Sequence, residues 1–81
     1  MERKIMLEQL REVAGMGGPA AALANELLVL RQQYENGELT LEEFQFLAQQ
    51  VAEVKAAQDL SNDEQALRYI VSAASAISKV V

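Results

Sequence analysis

The sequence predicts an all-α fold, a small bundle of three to four helices around a capped antiparallel αα-hairpin. Three observations carry that reading. Apolar residues recur at three- and four-residue intervals along four separate stretches. Helix-start and helix-stop residues punctuate the gaps between them. One gap, Gly37-Glu38-Leu39-Thr40-Leu41-Glu42-Glu43-Phe44, holds a full set of turn and cap signals. Gly37 can take positive φ without Cβ strain, which suits a position just past a helix end. Thr40 suits the next N-cap, with Glu43 three residues on to complete a capping box. Leu39 before the cap and Phe44 at the fourth helical position have the spacing of a hydrophobic staple.

The chain of 81 residues reads as one domain, 1–81. A first helix is expected over about 2–13, where Met6, Leu10 and Val13 line one face and Ile5, Leu7 and Ala14 widen it. Ala14 to Pro19 (AGMGGP) breaks it. Gly15 suits a C-terminal cap, Gly18 an N-cap and Pro19 a first helical position. The glycines lack the Gly-Lys-Ser/Thr ending of a phosphate loop and the spacing of a dinucleotide turn, so this segment reads as a connector that binds no phosphate.

The second helix is expected over about 19–36, with Leu23, Leu27, Leu30 and Tyr34 as its stripe and Val29 off it. The third is expected over about 41–59, with Phe44, Leu47, Val51 and Val54 inward. Phe46 lies about 200° around that helix from Phe44, among Glu42, Glu43, Gln49, Gln50 and Glu53. A phenylalanine there is either a contact for another chain or is covered by the last helix. Ser61 and Glu64 have capping-box spacing, which starts a fourth helix over about 62–80. Leu67, Ile70, Ala74, Ile77 and Val81 form one stripe of that helix, and Ala66, Ala73 and Val80 lie beside it. So wide an apolar surface needs contacts on two sides, within the bundle or with another subunit.

Composition narrows the function classes. Cysteine and histidine are absent, which removes disulfides, thiolate chemistry, the usual zinc sites and imidazole acid–base work. No nucleophile–base pair can be assembled from the remaining carboxylates, lysines, tyrosines and serines, so an enzyme is not expected, nor a cofactor, metal or small-molecule substrate. The net charge is −5, and residues 35–64 hold eight acids against one base, Lys55. Nucleic acid is therefore not expected as a primary ligand. No stretch reaches the roughly 20 apolar residues of a membrane span, and no signal peptide is visible. The expected location is the cytoplasm, or a particle assembled there.

Residues 27–52 resemble the SHOCT motif, a short helical hairpin. That family places leucines on a first helix, then an aromatic, a glycine, an Ile/Leu-Thr pair and a Glu-Phe pair. Leu27, Leu30, Tyr34, Gly37, Leu39, Thr40, Glu43 and Phe44 stand at the matching positions, and Val51 fits a later apolar one. Gln33 stands where the family has an apolar residue and Ala48 where it has a lysine, and the hairpin lies mid-chain. The resemblance implies no catalysis. It implies a helical module that serves in oligomerisation or attachment to other proteins.

Two functions follow. The first is a structural or assembly protein working through helix–helix contacts with itself, as a homo-oligomer, or with a larger protein, as a small subunit or accessory component of a phage virion or secretion assembly does. The second is a small acidic regulator or inhibitor that covers a basic surface of a partner. The expected contact residues are Val29, Phe46, Ala66, Val71, Ala73, Ile77 and Val80. The residues expected to fix the hairpin are Gly37, Leu39, Thr40, Glu43 and Phe44.

Overall fold

The structure is a computed structural model; it describes residues 3–79, with side chains from residue 8 onward. The described residues form helices and connecting turns, with no strand among them. The helices are α1 (Arg3–Ala14), α2 (Pro19–Glu35), α3 (Leu41–Gln50), α4 (Ala56–Asp59) and α5 (Glu64–Ser78). A π-helical turn, Val51–Lys55, joins α3 to α4. Backbone angles stay helical through both junctions, at Val51 and at Ala56, so 41–59 is one rod and the bundle has four. The expected helix ends at residues 2 and 80 lie outside the described residues.

The α1–α2 connector follows glycine chemistry. The Gly15 amide closes the last turn of α1 on the carbonyls of Arg11 (3.2 Å) and Glu12 (3.1 Å). Positive φ falls instead on Gly17 and Gly18, and Gly18 is the N-cap ahead of Pro19. At the end of α2 the Gly37 amide donates to Tyr34 O (3.1 Å) and the Glu38 amide to Gln33 O (2.9 Å), with Gly37 at φ 79°. This pair of bonds is a Schellman motif, and it satisfies carbonyls that the helix end would leave open. Three residues later the capping box is present. Thr40 Oγ1 accepts from the Glu43 amide (3.1 Å), and Glu43 Oε1 accepts from the Thr40 amide (2.9 Å). Leu39 packs on the core, Phe44 is wholly buried, and the Tyr34 and Phe44 rings stack with centroids 5.2 Å apart.

α5 starts differently from expectation. Its N-cap is Asp63, whose Oδ1 accepts from the Ala66 amide at 3.1 Å. The Ser61–Glu64 box is not formed. Glu64 turns outward to Arg68 at 2.6 Å. A carboxylate is the better acceptor at a helix N-terminus, because the helix dipole adds to its hydrogen bond.

The core joins all four rods. Leu10 enters from α1, and Leu23, Ala24 and Leu27 from α2. Phe44, Ala48, Val51, Ala52, Ala56 and Leu60 enter from the 41–59 segment and the turn after it, and Ile70, Ala73, Ala74 and Ile77 from α5. No polar or charged residue among those described is buried. The described residues of both apolar stripes of α5 therefore pack within this one chain, with α1 and α2 on one side and α3 on the other.

The third rod departs from its expected stripe. Val54 is exposed and Leu47 only half buried, while Ala48, Ala52 and Ala56 are buried. The buried positions 44, 48, 52, 56 and 60 recur every four residues. In an α-helix that spacing overshoots by about 40° per step and would carry the track off the core. The π-turn encloses one residue more per hydrogen bond, and Ala56 N–H donates to Val51 O. The wider turn offsets the overshoot and holds the alanines on the core. The same rotation swings Val54 outward.

Candidate interaction face

The candidate site is the outward side of the 41–59 rod. Phe46 is 60% exposed, Val54 50%, Val29 48% and Val71 42%. Phe46 and Val54 line a shallow depression together with Gln49, Gln50 and Glu53. On one flank a groove between α2 and the rod is lined by Val29, Leu30, Leu47 and Val51, with Gln50 at its edge. On the other flank a mostly polar groove between the rod and α5 carries Gln45, Gln49, Glu53, Ser75, Ser78 and Lys79 around Ala52, Val71 and Ala74. Gln50 borders the depression and the first groove, and Gln49 and Glu53 border the depression and the second. The exposed apolar side chains of three rods thus share one outward side, with polar side chains between them.

Two contacts hold the rods that build this face. Lys55 Nζ reaches Glu26 Oε1 at 2.7 Å and ties the π-turn to α2. Both side chains are about half exposed, so the pair contributes about 0–1 kcal/mol and mainly sets orientation. Gln45 Nε2 donates to Ser78 O at 2.9 Å, which ties α3 to an open carbonyl at the end of α5.

The expected contact residues divide. Val29, Phe46 and Val71 lie on this face. Ala73 and Ile77 do not: both are fully buried, because α5 lies between α1, α2 and the 41–59 rod. They are core residues. Ala66 is half buried and packs on the core from the far end of α5, beside Met16 and Tyr69. Val80 lies outside the described residues. Val54 belongs to the face and was missed, because an uninterrupted α-helix puts it on the inner stripe. The signal for it was present in the strict four-residue spacing of Phe44, Ala48, Ala52, Ala56 and Leu60. The turn residues Gly37, Leu39, Thr40, Glu43 and Phe44 stand at the junction of α2 and α3 and make the contacts given above.

The acids of 35–64 are mostly engaged within the chain. Glu35 pairs with Arg31, Glu38 accepts from Asn36, and Glu53 accepts from Gln49. Glu43 and Asp63 serve as caps, and Glu64 pairs with Arg68. Glu42 and Asp59 remain of the eight. Among the described residues no group of three or more acidic side chains is placed to hold a metal ion, and no helix is long and apolar enough to cross a membrane. The Tyr69 hydroxyl is sealed from solvent with no hydrogen-bonding protein partner. Burial, and then the charge of Glu12, push its pKa above the ordinary tyrosine value.

No family model matches the chain, and no curated protein or solved structure proved similar to it. The fold and the face together define a class: a small all-α bundle with exposed apolar side chains on the outward side of three of its rods.

Proposed function

We propose that this chain is a non-enzymatic assembly protein that works through helix–helix contacts. It packs against itself or a larger protein, as a small subunit or accessory component of a larger particle, of which a phage virion or secretion assembly is an example. One observation carries the reading: an aromatic side chain, 60% exposed, stands on the same outward side as exposed Val29, Val54 and Val71, with glutamines and Glu53 between them. Isolated surface hydrophobes are ordinary, but several on one side with an aromatic among them and uncharged amides around it are the make-up of a contact surface. The likeness of residues 27–52 to SHOCT hairpins belongs with the same reading. The acidic-regulator alternative loses weight because six of its eight acids already serve caps and pairs within the chain.

A photo-crosslinking residue at position 46, expressed in the native source, tests the proposal. Adducts with a protein, formed at low and high salt alike, are expected from position 46 and not from Asn62, which is exposed on a distant turn. No adduct at 46, or the same adducts from both positions, would sink it.

A further inference from the structure

We infer that the Asn36–Gly37 pair is a modification site: Asn36 deamidates through a cyclic imide with Gly37, and the C-terminal cap of α2 sets the rate. The residue pair supplies the chemistry, the cap restrains it, and the products cannot restore the cap.

The pair stands in an exposed turn. An asparagine side chain places its carboxamide carbon within ring-closing reach of the next backbone nitrogen, and glycine adds no side chain to hinder the approach. The space where a Gly37 Cβ would stand is open. The Gly37 nitrogen attacks Asn36 Cγ and gives up its proton to water. The Cγ–Nδ2 bond breaks, and Nδ2 takes a proton from water and leaves as ammonia. A second water then opens the imide. Opening at Cγ gives aspartate, and opening at the main-chain carbonyl gives isoaspartate, with the chain now running through the side chain. Water is the sole co-reactant. The other asparagines, Asn25 and Asn62, precede Glu26 and Asp63, whose side chains crowd the attacking nitrogen.

The fold restrains this reaction. Asn36 is the C-cap of α2, with φ −80° and ψ −1°. At that ψ the Gly37 nitrogen eclipses Asn36's own nitrogen, whereas ring closure needs it on the Cβ side. Swinging it there breaks the bonds from the Gly37 amide to Tyr34 O (3.1 Å) and from the Glu38 amide to Gln33 O (2.9 Å). The carboxamide is held as well: Oδ1 accepts from Gln32 Nε2 at 3.1 Å, and Nδ2 donates to Glu38 Oε2 at 3.4 Å. These bonds close the end of one helix, where opening costs far less than unfolding the bundle. The reaction therefore waits on the cap and not on global unfolding.

Loss of ammonia makes the change one-way. An aspartate at this position stands between Glu35 and Glu38 at the negative end of α2, with no amide left to donate to Glu38. Isoaspartate lengthens the main chain, so the two cap bonds lose their register. Either product loosens the turn that leads into Thr40.

The full chain, incubated at one mildly alkaline pH in buffer and in guanidinium chloride and then digested with trypsin, tests this. Cleavage after Arg31 and Lys55 releases residues 32–55, in which Asn36 is the single asparagine. Mass spectrometry should find aspartate and isoaspartate forms of that peptide, accumulating about tenfold more slowly in the folded chain than in guanidinium. Guanidinium too dilute to lower the helical circular dichroism should already speed the conversion. Gln32→Ala should raise the rate in buffer and leave the rate in guanidinium unchanged. Gly37→Ala should slow the reaction in guanidinium, where the fold plays no part. Conversion at position 36 in the folded chain no faster than at Asn25 or Asn62 would overturn the inference. So would equal rates in buffer and guanidinium, or a rate that rises only as the helical signal is lost.

Discussion

Phe44 and Phe46 sit two residues apart on one helix and have opposite fates. Phe44 is wholly buried and stacked on Tyr34, while Phe46 is 60% exposed. The residue type is the same, so hydrophobicity cannot explain the difference. Position does: two residues are about 200° of helix, and the bundle covers one side of this rod only. Burying Phe44 stabilises the chain whether or not anything else is present. Exposing Phe46 stabilises nothing until another surface arrives.

Paired truncations should separate the two roles most sharply. Phe44→Ala removes a fully buried ring and should cost about 3–5 kcal/mol of stability. Phe46→Ala, measured on the monomer at low concentration, should stay within about 0.5 kcal/mol. Denaturant melts of both variants check this. Equal losses would mean that Phe46 packs within its own chain.

A smaller effect is expected one turn earlier. Thr40→Ala removes the side-chain acceptor of the capping box that orients both phenylalanines, and should cost about 0.5–2 kcal/mol. Thr40→Ser keeps the acceptor and should recover most of that loss. If serine and alanine lower the thermal midpoint equally, the cap does not set the angle at which the rod leaves the turn.

The smallest effect lies away from both rings and serves as a control. The Tyr69 pKa is raised, chiefly by burial. The unfolded chain therefore loses the phenol proton first as pH rises past about 10. In that window the folded state holds more protons than the unfolded state, so stability falls with rising pH. Below it the contribution is intact. Tyr69→Phe should remove this alkaline slope, with little or no loss of stability at neutral pH because the hydroxyl has no protein partner to lose. An unchanged slope would assign the titration to another group.

Local chemistry was the most legible part of the chain. The capping box of Thr40 and Glu43 and the positive φ of Gly37 depend on residues within a few positions of one another, and they stand in the structure as the spacing implies. The α2 stripe of Leu23, Leu27, Leu30 and Tyr34 turns inward for a similar reason, since one helix period governs it throughout. The start of α5 was less clear because Ser61 and Asp63 both offer an oxygen, and only the folded geometry selects the carboxylate. Ala73 and Ile77 read from sequence as interface residues, because the width of an apolar surface reveals the need for two neighbours but not which chain supplies them. Val54 reads as an inner residue because a single helix period does not hold on a rod that changes period at Val51–Lys55.

That change of period also bears on how such a protein could evolve. Losing one residue from 51–55 would let the rod continue as plain α-helix. The turn already absorbs the about 100° that this residue would add, so the segments before and after it would keep their alignment. With Ala56 and Leu60 kept in the core, Phe44 would stay inside and Phe46 outside. A single-codon deletion would thus be absorbed at the turn, with the core and the outward side both kept in place. Lineages that gain or lose this one residue would be expected to share both and to differ in the π-turn itself.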